Sequence, residues 1–463
     1  MEPNLLLPAR PFASLAEYQA NGGGEAIRRA RARGPDWVLD QLDASGLRGR
    51  GGAGFPAGRK WRSVRAGGAE LGDRYVVANG AEGEPGTFKD RPLLRQNPYQ
   101  VLEGLAVAAM VVDAREVFIG VKASFEPEID ALSRALPEMA DADLLGDAPM
   151  SIVAGPEEYL LGEETALLEV IEGNDPMPRW LPPYLHGLFA TTPAEGWSSG
   201  IAPTEDADVV GSNPTLASNV ETFANVPLIL ARGADWYRTI GTPPTPGPLI
   251  VTVVGDTRRD GYGEIEPGTR LGDVLEQLGG GFADGRAVKA VLSGVANPVL
   301  TAAGLSAPVS YEGLAAAGGG LGSAGFIVYD DTRSMVGVAR MVSRFLYVES
   351  CGQCRACKNG SGEVTRRLDA IAEGVGDTHD IETIGERLRG VTDQNRCYLG
   401  EEEQRTISSL LRSFPEEFVA ALEAGGSAVD TPVIPKIVDL VDGRAIYDER
   451  QRRKNPDWTY AAA

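Results

Sequence analysis

All four cysteines of this 463-residue chain fall in one stretch: CGQCRAC supplies Cys351, Cys354 and Cys357, and Cys397 follows after 39 further residues. Disulfide stapling of so long a chain would hardly be confined there, so the thiols read as ligands. Two-residue spacers let a compact loop turn three thiolates towards one centre, which a remote fourth can close. Zn²⁺ and a [4Fe–4S] cluster both accept four thiolates. Zinc sites more often pair two CxxC knuckles, whereas three cysteines at successive two-residue gaps with one distant partner look more like cubane ligation. Spacing alone leaves both open, together with unliganded thiols. Zinc would staple this part of the fold; a cubane would carry single electrons, and no second set of cysteines extends a wire.

Composition removes other classes. Lys and Arg number 44 against 65 Asp and Glu, a formal charge of −21, with no basic stripe of the kind a nucleic-acid binder carries. His186 and His379 are the only histidines, which excludes schemes needing several imidazoles. No uninterrupted apolar run reaches the roughly 18 residues of a membrane span. The opening MEPNLLLPARPFASL lacks the basic region of a secretory leader. A cytoplasmic protein, at most peripheral to a membrane complex, is expected. Glycine is in excess at 58 residues, which suggests tight turns or close approach of backbone to a ligand.

Hydrophobic periodicity divides the chain into four parts. Residues 1–245 read as an α/β domain: helices over 13–45, a buried strand YVVAN at 75–79, a helix over 99–112, strands at 115–121 and near 150–154, and a helix in GEETALLEVIEG. TPPTPGP at 242–248 reads as a linker. Residues 246–335 form a small strand-rich domain. Apolar stripes such as Val364, Leu368 and Ile371 make 336–430 a helical bundle carrying the cysteines. Residues 431–463, with weak periodicity, read as an extended tail.

Gly49-Arg50-Gly51-Gly52-Ala53-Gly54 formally matches the dinucleotide pattern G-x-G-x-x-G. That pattern must follow a strand and open a helix, whereas here a helical stretch precedes it and Phe55-Pro56 follows. What survives is a permissive backbone whose N–H groups suit a phosphate, backed by Arg50, Arg59 and Lys60; a solvent-facing turn with basic flanks is the plainer alternative. Asn79, Glu82 and Glu84, then Gly162, Glu163 and Glu164, then Asn219 read as one polar pocket assembled from strand ends. A carboxylate such as Glu163 at a helix start is commonly structural, because it satisfies free N–H groups.

LRGRGGAGFPAGRKW, NGAEGEPGTFKDR, GEETALLEVIEG, SNVETFANVP and ESCGQCRAC…RCYLG occur in this order over about residues 13–425. In order and spacing they resemble the flavin-binding subunit of respiratory complex I and the diaphorase subunits of NAD-linked hydrogenases and formate dehydrogenases. The resemblance implies an α/β FMN domain, then a β-grasp domain of the ubiquitin-like, soluble-ligand-binding kind, then the cluster-bearing bundle. It implies noncovalent FMN, hydride exchange with NAD(H), and single electrons passed to [4Fe–4S]. A thioredoxin-like [2Fe–2S] subunit and further iron–sulfur or catalytic subunits are the implied partners, with no nucleic acid. The flavin carries the chemistry, so no catalytic acid or base is required.

By the same resemblance, Gly49, Arg50, Gly51, Gly52 and Lys60 form the phosphate and ribityl cradle. Asn79, Glu82 and Gly83 match a second flavin wall. Tyr159, Gly162, Glu163 and Glu164 match a third, and Asn219 a last flavin contact. Phe55, Glu84 and Tyr184 match the dinucleotide channel, and Cys351, Cys354, Cys357 and Cys397 the cubane ligands. The chain departs from the family at Ala81, where an aspartate is usual, at Ser63 for an aromatic, and at Leu181 for a lysine. Ser218 replaces an asparagine and Leu161 a cysteine, and 188–210 resembles an insertion. These departures concentrate in the nucleotide channel. They leave an alternative in which that channel is remodelled or closed and a ferredoxin-like protein, or another non-NAD partner, exchanges the electrons.

Overall fold

The computed structural model describes residues 4–66, 71–191, 211–283, 285–423 and 428–461. Helices α1 (Leu15–Ala20), α2 (Glu25–Arg33) and α3 (Pro35–Ser45) fill the stretch expected to be helical. Gly34, at a φ of 83°, separates the last two and lets Pro35 open α3. The flavin-type domain continues through α4 (Ala57–Ala66), β1 (Tyr75–Asn79), α5 (Asp90–Gln96), α6 (Pro98–Val112) and β2 (Glu116–Lys122). It closes with α7 (Glu126–Asp141), β3 (Met150–Gly155), α8 (Glu164–Ile171), β4 (Thr215–Asn219) and α9 (Val220–Arg232).

The four strands are all parallel, in the order β3-β2-β1-β4. YVVAN is apolar without alternation because both faces of β1 are covered. Val76 and Ala78 enter a core that α6 and α9 also supply, while Tyr75 and Val77 meet Leu161, Leu167 and Leu168 on the other side. Helices α6 and α9 approach so closely that a Cβ on Gly104 would lie 2.1 Å from the Phe223 carbonyl oxygen. The strand order reverses beside β1, with β2 and β3 on one side and β4 on the other. That reversal places Asn79 opposite Asn219 at the carboxyl ends, where open α/β sheets bind ligands.

After α10 (Ala234–Tyr237), the TPPTPGP stretch is a packed joint rather than a free linker. Short strands β5 (Gly241–Thr242) and β6 (Thr245–Pro246) pair antiparallel, and the buried Arg50 guanidinium donates to the Pro246 carbonyl at 2.7 Å. The second domain contains β7 (Leu249–Gly255), β8 (Gly261–Ile265), α11 (Leu271–Gly279), β9 (Val288–Ser293), β10 (Leu300–Thr301), α12 (Tyr311–Ala316) and β11 (Gly325–Asp330). Its sheet order is β10-β9-β11-β7-β8, with β7 and β11 parallel at the centre and the other pairs antiparallel. This is a β-grasp sheet, covered by the Leu271, Val274, Leu275 and Leu278 face of α11.

The bundle is α13 (Met335–Glu349), α14 (Arg355–Ala372), α15 (Thr378–Gly390), α16 (Leu399–Ser413) and α17 (Pro415–Glu423). Val364, Leu368, Ile371, Ile384, Leu388 and Ile407 are buried in its core. The stretch read as an extended tail instead contains an antiparallel hairpin, β12 (Ile437–Val441) and β13 (Arg444–Tyr447), and a 3₁₀ turn at Glu449–Arg453. Scattered apolar contacts, Ile434 and Ile437 among them, and isolated polar anchors hold it, so no apolar period announces it. Arg91 donates to the Val438 carbonyl at 2.7 Å, and the buried Lys454 ammonium lies 2.8 Å from the buried Glu349 carboxylate. Among the described residues no helix is long and apolar enough to cross a membrane.

Candidate functional site

A cavity of about 640 Å³ opens at the carboxyl ends of β1 and β4, within the usual range for a small-molecule site. The glycine loop forms one wall. It follows helix α3, not a strand, so it is no dinucleotide fingerprint. A bridge between Arg48 and Pro56 and the bond from Gly49 N to the Phe55 carbonyl at 2.8 Å close it into a tight loop. Glycine is required at Gly54, where φ is +64° and the Tyr311 ring would lie 2.6 Å from a Cβ, and a Cβ on Gly51 would crowd the Asn219 Cβ at 3.1 Å. Gly49, Gly51, Gly52, Phe55 and Lys60 line the cavity. The Arg50 side chain does not: it turns into the protein, where its guanidinium meets Pro246 and the Tyr237 hydroxyl.

Trp61, buried against Phe223, fixes α4 so that Lys60 reaches the cavity. There its ammonium lies 2.6 Å from the Glu164 carboxylate. Asn79 donates to the Gly162 carbonyl at 2.7 Å, tying the second wall to the third. Glu82 is committed within its own loop, accepting from Lys89 N at 2.8 Å, Asp90 N at 3.1 Å and Arg91 Nε at 3.0 Å. Those donors hold its carboxyl below the ordinary range despite burial. Glu163 caps α8, accepting from Thr165 N at 2.9 Å and Ala166 N at 2.8 Å, while burial pushes its carboxyl up to about 7. Asn219 caps α9 and accepts from Lys89 Nζ at 3.0 Å. Gly83, Glu84, Tyr159 and Gly162 also line the cavity, whereas Tyr184 is exposed and outside its lining.

The four cysteines are free thiols gathered around a second, small cavity. Cys351 and Cys354 lie in the turn between α13 and α14, Cys357 in the first turn of α14, and Cys397 just before α16. Lys358 braces the turn by donating to the Ser350 carbonyl at 2.7 Å and the Pro456 carbonyl of the tail at 2.6 Å. Burial pushes the Cys357 thiol up to about 11 and raises Cys397 as well, so a cationic centre is needed to hold them as thiolates. The same cavity is lined by Asn395, whose amide oxygen and nitrogen both lack partners, and by Arg396, whose Nε does. Four soft donors with unused polar atoms around them fit a cluster that offers sulfide acceptors.

The flavin cavity fits FMN on similar grounds: backbone and Lys60 for a phosphate, and a loop that any Cβ at position 51 would crowd. Leu160, Cys397 and Leu399 line both cavities, so the two sites abut. Sequence reasoning missed Lys89, Asp90, Asn297, Glu402 and Arg405, which line the larger cavity. The charged KD pair at the end of the GEPGTFKDR motif was a legible signal; nothing local distinguishes Glu402 within the Glu401–Glu403 run. Of the departures from the family, Ala81 and Ser218 line the cavity and Ser63 and Leu181 do not. Most of the apparent insertion, from residue 192 to 210, lies outside the described residues.

Fold and site together define an electron-transfer protein pairing a flavin cavity with a four-cysteine centre. Residues 42–228 match the family model of the Nuo51 FMN-binding domain, and residues 337–421 that of the NADH-ubiquinone oxidoreductase-F iron-sulfur binding region. The F 2 subunit of the NADH-quinone oxidoreductase of Rhizobium meliloti (strain 1021) is 36% identical over 422 residues, covering 88% of this chain and 94% of the relative. The HndC subunit of the NADP-reducing hydrogenase of Solidesulfovibrio fructosivorans is 32% identical over 421 residues, covering 89% and 81%. An air-oxidized NAD+-reducing [NiFe]-hydrogenase chain superposes with a TM-score of 0.75 at 29% identity, covering 91% of this chain and 68% of that one. The chain belongs to the FMN- and [4Fe–4S]-binding family of NADH dehydrogenase F-type subunits, to which hydrogenase diaphorase subunits are related. It is an oxidoreductase subunit that moves electrons between a flavin/NAD(H) site and a [4Fe–4S] cluster, and its family works in multisubunit complexes.

Proposed function

We propose that the larger cavity holds FMN and exchanges hydride with NAD(H), and that Cys351, Cys354, Cys357 and Cys397 ligate the cluster receiving the electrons. The observation that carries this reading is the wall of Leu160, Cys397 and Leu399 common to both cavities. Bound FMN would convert a two-electron donor into single-electron steps. The glycine-loop N–H groups and Lys60 bind the phosphate, Lys60 as a point charge. Asn79, Gly83, Gly162 and Asn219 form the remaining flavin walls, with Glu82 and Glu163 shaping them through loop and helix caps. Arg50 acts from beneath, anchoring the loop rather than touching the ligand.

Phe55, Glu84 and Glu164 border the nucleotide channel, with Tyr184 outside its mouth. Ser63 and Leu181 withhold an aromatic platform and a cation. Their loss weakens NAD(H) by about one to three powers of ten, at 0.5–1.5 kcal/mol for the platform, 1.5–3 for a charge-assisted bond and 1.4 per decade. A thioredoxin-like [2Fe–2S] subunit in a cytoplasmic complex is the proposed partner. Anaerobic titration of the assembled complex with NADH tests this: the flavin band is expected to bleach. No bleaching at saturating NADH, with reduction by a ferredoxin instead, would decide for a closed channel.

A further inference from the structure

Tyr159 bridges two carboxyl groups, the half-buried Glu84 and the buried Glu402, on the wall of the larger cavity. Its hydroxyl lies 2.5 Å from Glu84 Oε2 and 3.0 Å from Glu402 Oε1. A phenol carries one proton and can donate to only one of them. Glu84 has the surroundings of a carboxylate, since its other oxygen accepts from Val295 N at 2.6 Å. Glu402 does not: its Oε2 is buried without a partner. An ionised Glu402 would leave a charged oxygen unpaired in the interior, which is costly. A carboxylic acid at Glu402 resolves both contacts, with its O–H donating from Oε1 to the phenol oxygen while the phenol donates to Glu84.

We propose that Glu402, linked through Tyr159 to Glu84, is a proton-holding site whose occupancy follows the electron on the neighbouring cluster. The proposal rests on the reading that the four cysteines hold that cluster. Glu402 sits in the first turn of α16, and Cys397, just before that helix, lines the same cavity.

The charges facing Glu402 favour retention of the proton. Burial raises it most, and Glu84 from the loop after β1 and Glu401 on its own helix both raise it further; a hydrogen bond donated by Tyr159 would oppose them, but the phenol's one proton goes to Glu84. Burial likewise raises Glu84. The nearby cations are engaged elsewhere: Arg405 with the Tyr398 hydroxyl, Lys89 with Asp90 and Glu221, and Lys454 with Glu349, which also accepts from Tyr159 N. At acid pH the O–H bond at Glu402 is already present and no proton moves. At alkaline pH, where Glu402 is ionised while the cluster is oxidised, each electron entering the cluster is matched by one proton from cavity water forming that bond. When the electron leaves for the acceptor, that O–H bond breaks and the proton returns to cavity water. Charge near the flavin and the cluster stays balanced, and no further reactant is consumed.

The test is a redox titration of the cluster in the holo-complex, followed by its paramagnetic resonance signal at a series of pH values. In the wild type the potential is expected to be flat at acid pH. On the alkaline side it should fall by up to about 59 mV per pH unit, the one-electron equivalent of a tenfold change. Glu402→Gln, uncharged and the same shape as the acid form, should abolish that slope. An unchanged slope in the variant, or none in the wild type, would overturn the proposal. Reduced-minus-oxidised infrared difference spectra of the wild type give a second readout free of folding effects. A protonated-carboxyl band sensitive to D₂O is expected, and its absence counts against the site. Absence of any cluster signal in the wild type would instead overturn the ligand reading, and the proposal with it.

Discussion

Lys60 on α4 and Glu164 at the head of α8 meet within the larger cavity, ammonium to carboxylate at 2.6 Å. The pair is partly exposed and adds little to stability by itself. What it does is hold a flexible lysine extended over the glycine loop, ready to exchange its carboxylate partner for a phosphate.

Lys60→Ala is therefore expected to weaken flavin binding by about ten- to a hundredfold, at 1.5–3 kcal/mol for a charge-assisted bond and 1.4 kcal/mol per decade. The thermal midpoint should hardly move. Fluorescence titration of the deflavinated protein with FMN measures the first and calorimetry the second. An unchanged dissociation constant would remove Lys60 from the cradle.

Replacing Cys397 by alanine should abolish the cluster or leave a labile three-iron form, since this residue alone brings a ligand from outside the CGQCRAC turn. Iron and acid-labile sulfide, assayed after anaerobic purification, would fall accordingly. Wild-type protein with stoichiometric zinc and no sulfide would point to the stapling alternative.

Glu403 gives the folded protein a pH dependence of its own. Its carboxylate is fully buried, accepts from Ser343 at 2.7 Å, and is pushed up to about 8 by desolvation, from an ordinary 4.5. Between those two values the folded state binds more protons than the unfolded chain, so stability falls as pH rises from about 4.5 through about 8. The loss approaches roughly 5 kcal/mol as an upper bound, at 1.36 kcal/mol per pKa unit. Glu403→Gln should unfold at a higher temperature than wild type at alkaline pH and at a similar one in acid. Parallel pH profiles for the two proteins would contradict this.

Lys454→Met should be costly for a residue so near the chain's end. It leaves the Glu349 carboxylate buried with only Gln451 and Tyr159 N as donors, a loss of about 3–5 kcal/mol for a broken buried pair. Because Glu349 immediately precedes the cysteine turn, the cluster should also become more labile to chelators. Urea unfolding and the rate of iron release check the two effects; wild-type values for both would show that the tail merely lies on the surface.

Much of this architecture was legible in the sequence because its signals are local. YVVAN reads as a doubly buried strand, the bundle stripes repeat at helical spacing, and the cysteine spacing already implies one centre. The glycine loop, too, was separable from a dinucleotide fingerprint by the helix before it. Partners distant in sequence hid the rest. TPPTPGP carries the composition of a linker, yet Arg50 pins it from almost two hundred residues away. The tail docks through Ile434 and Ile437 and through the buried Lys436, Gln451 and Lys454, single residues that make no period. Arg50 looked like a ligand because it sits among glycines, and only the buried Tyr237 hydroxyl and Pro246 carbonyl reveal why it turns inward. Glu402 belongs to a run that reads as solvated helix; its burial depends on Tyr159 and Glu84 arriving from another domain.

The most direct test of electron passage between the two abutting cavities is rapid freezing of the complex at successive times after mixing with NADH. Optical and paramagnetic resonance spectra would be recorded on the same samples. Flavin bleaching followed by a reduced [4Fe–4S] signal, with the cluster signal lost and bleaching retained in Cys397→Ala, is the expected result. A cluster reduced while the flavin stays oxidised, or a flavin that bleaches without any electron reaching an intact cluster, would contradict it.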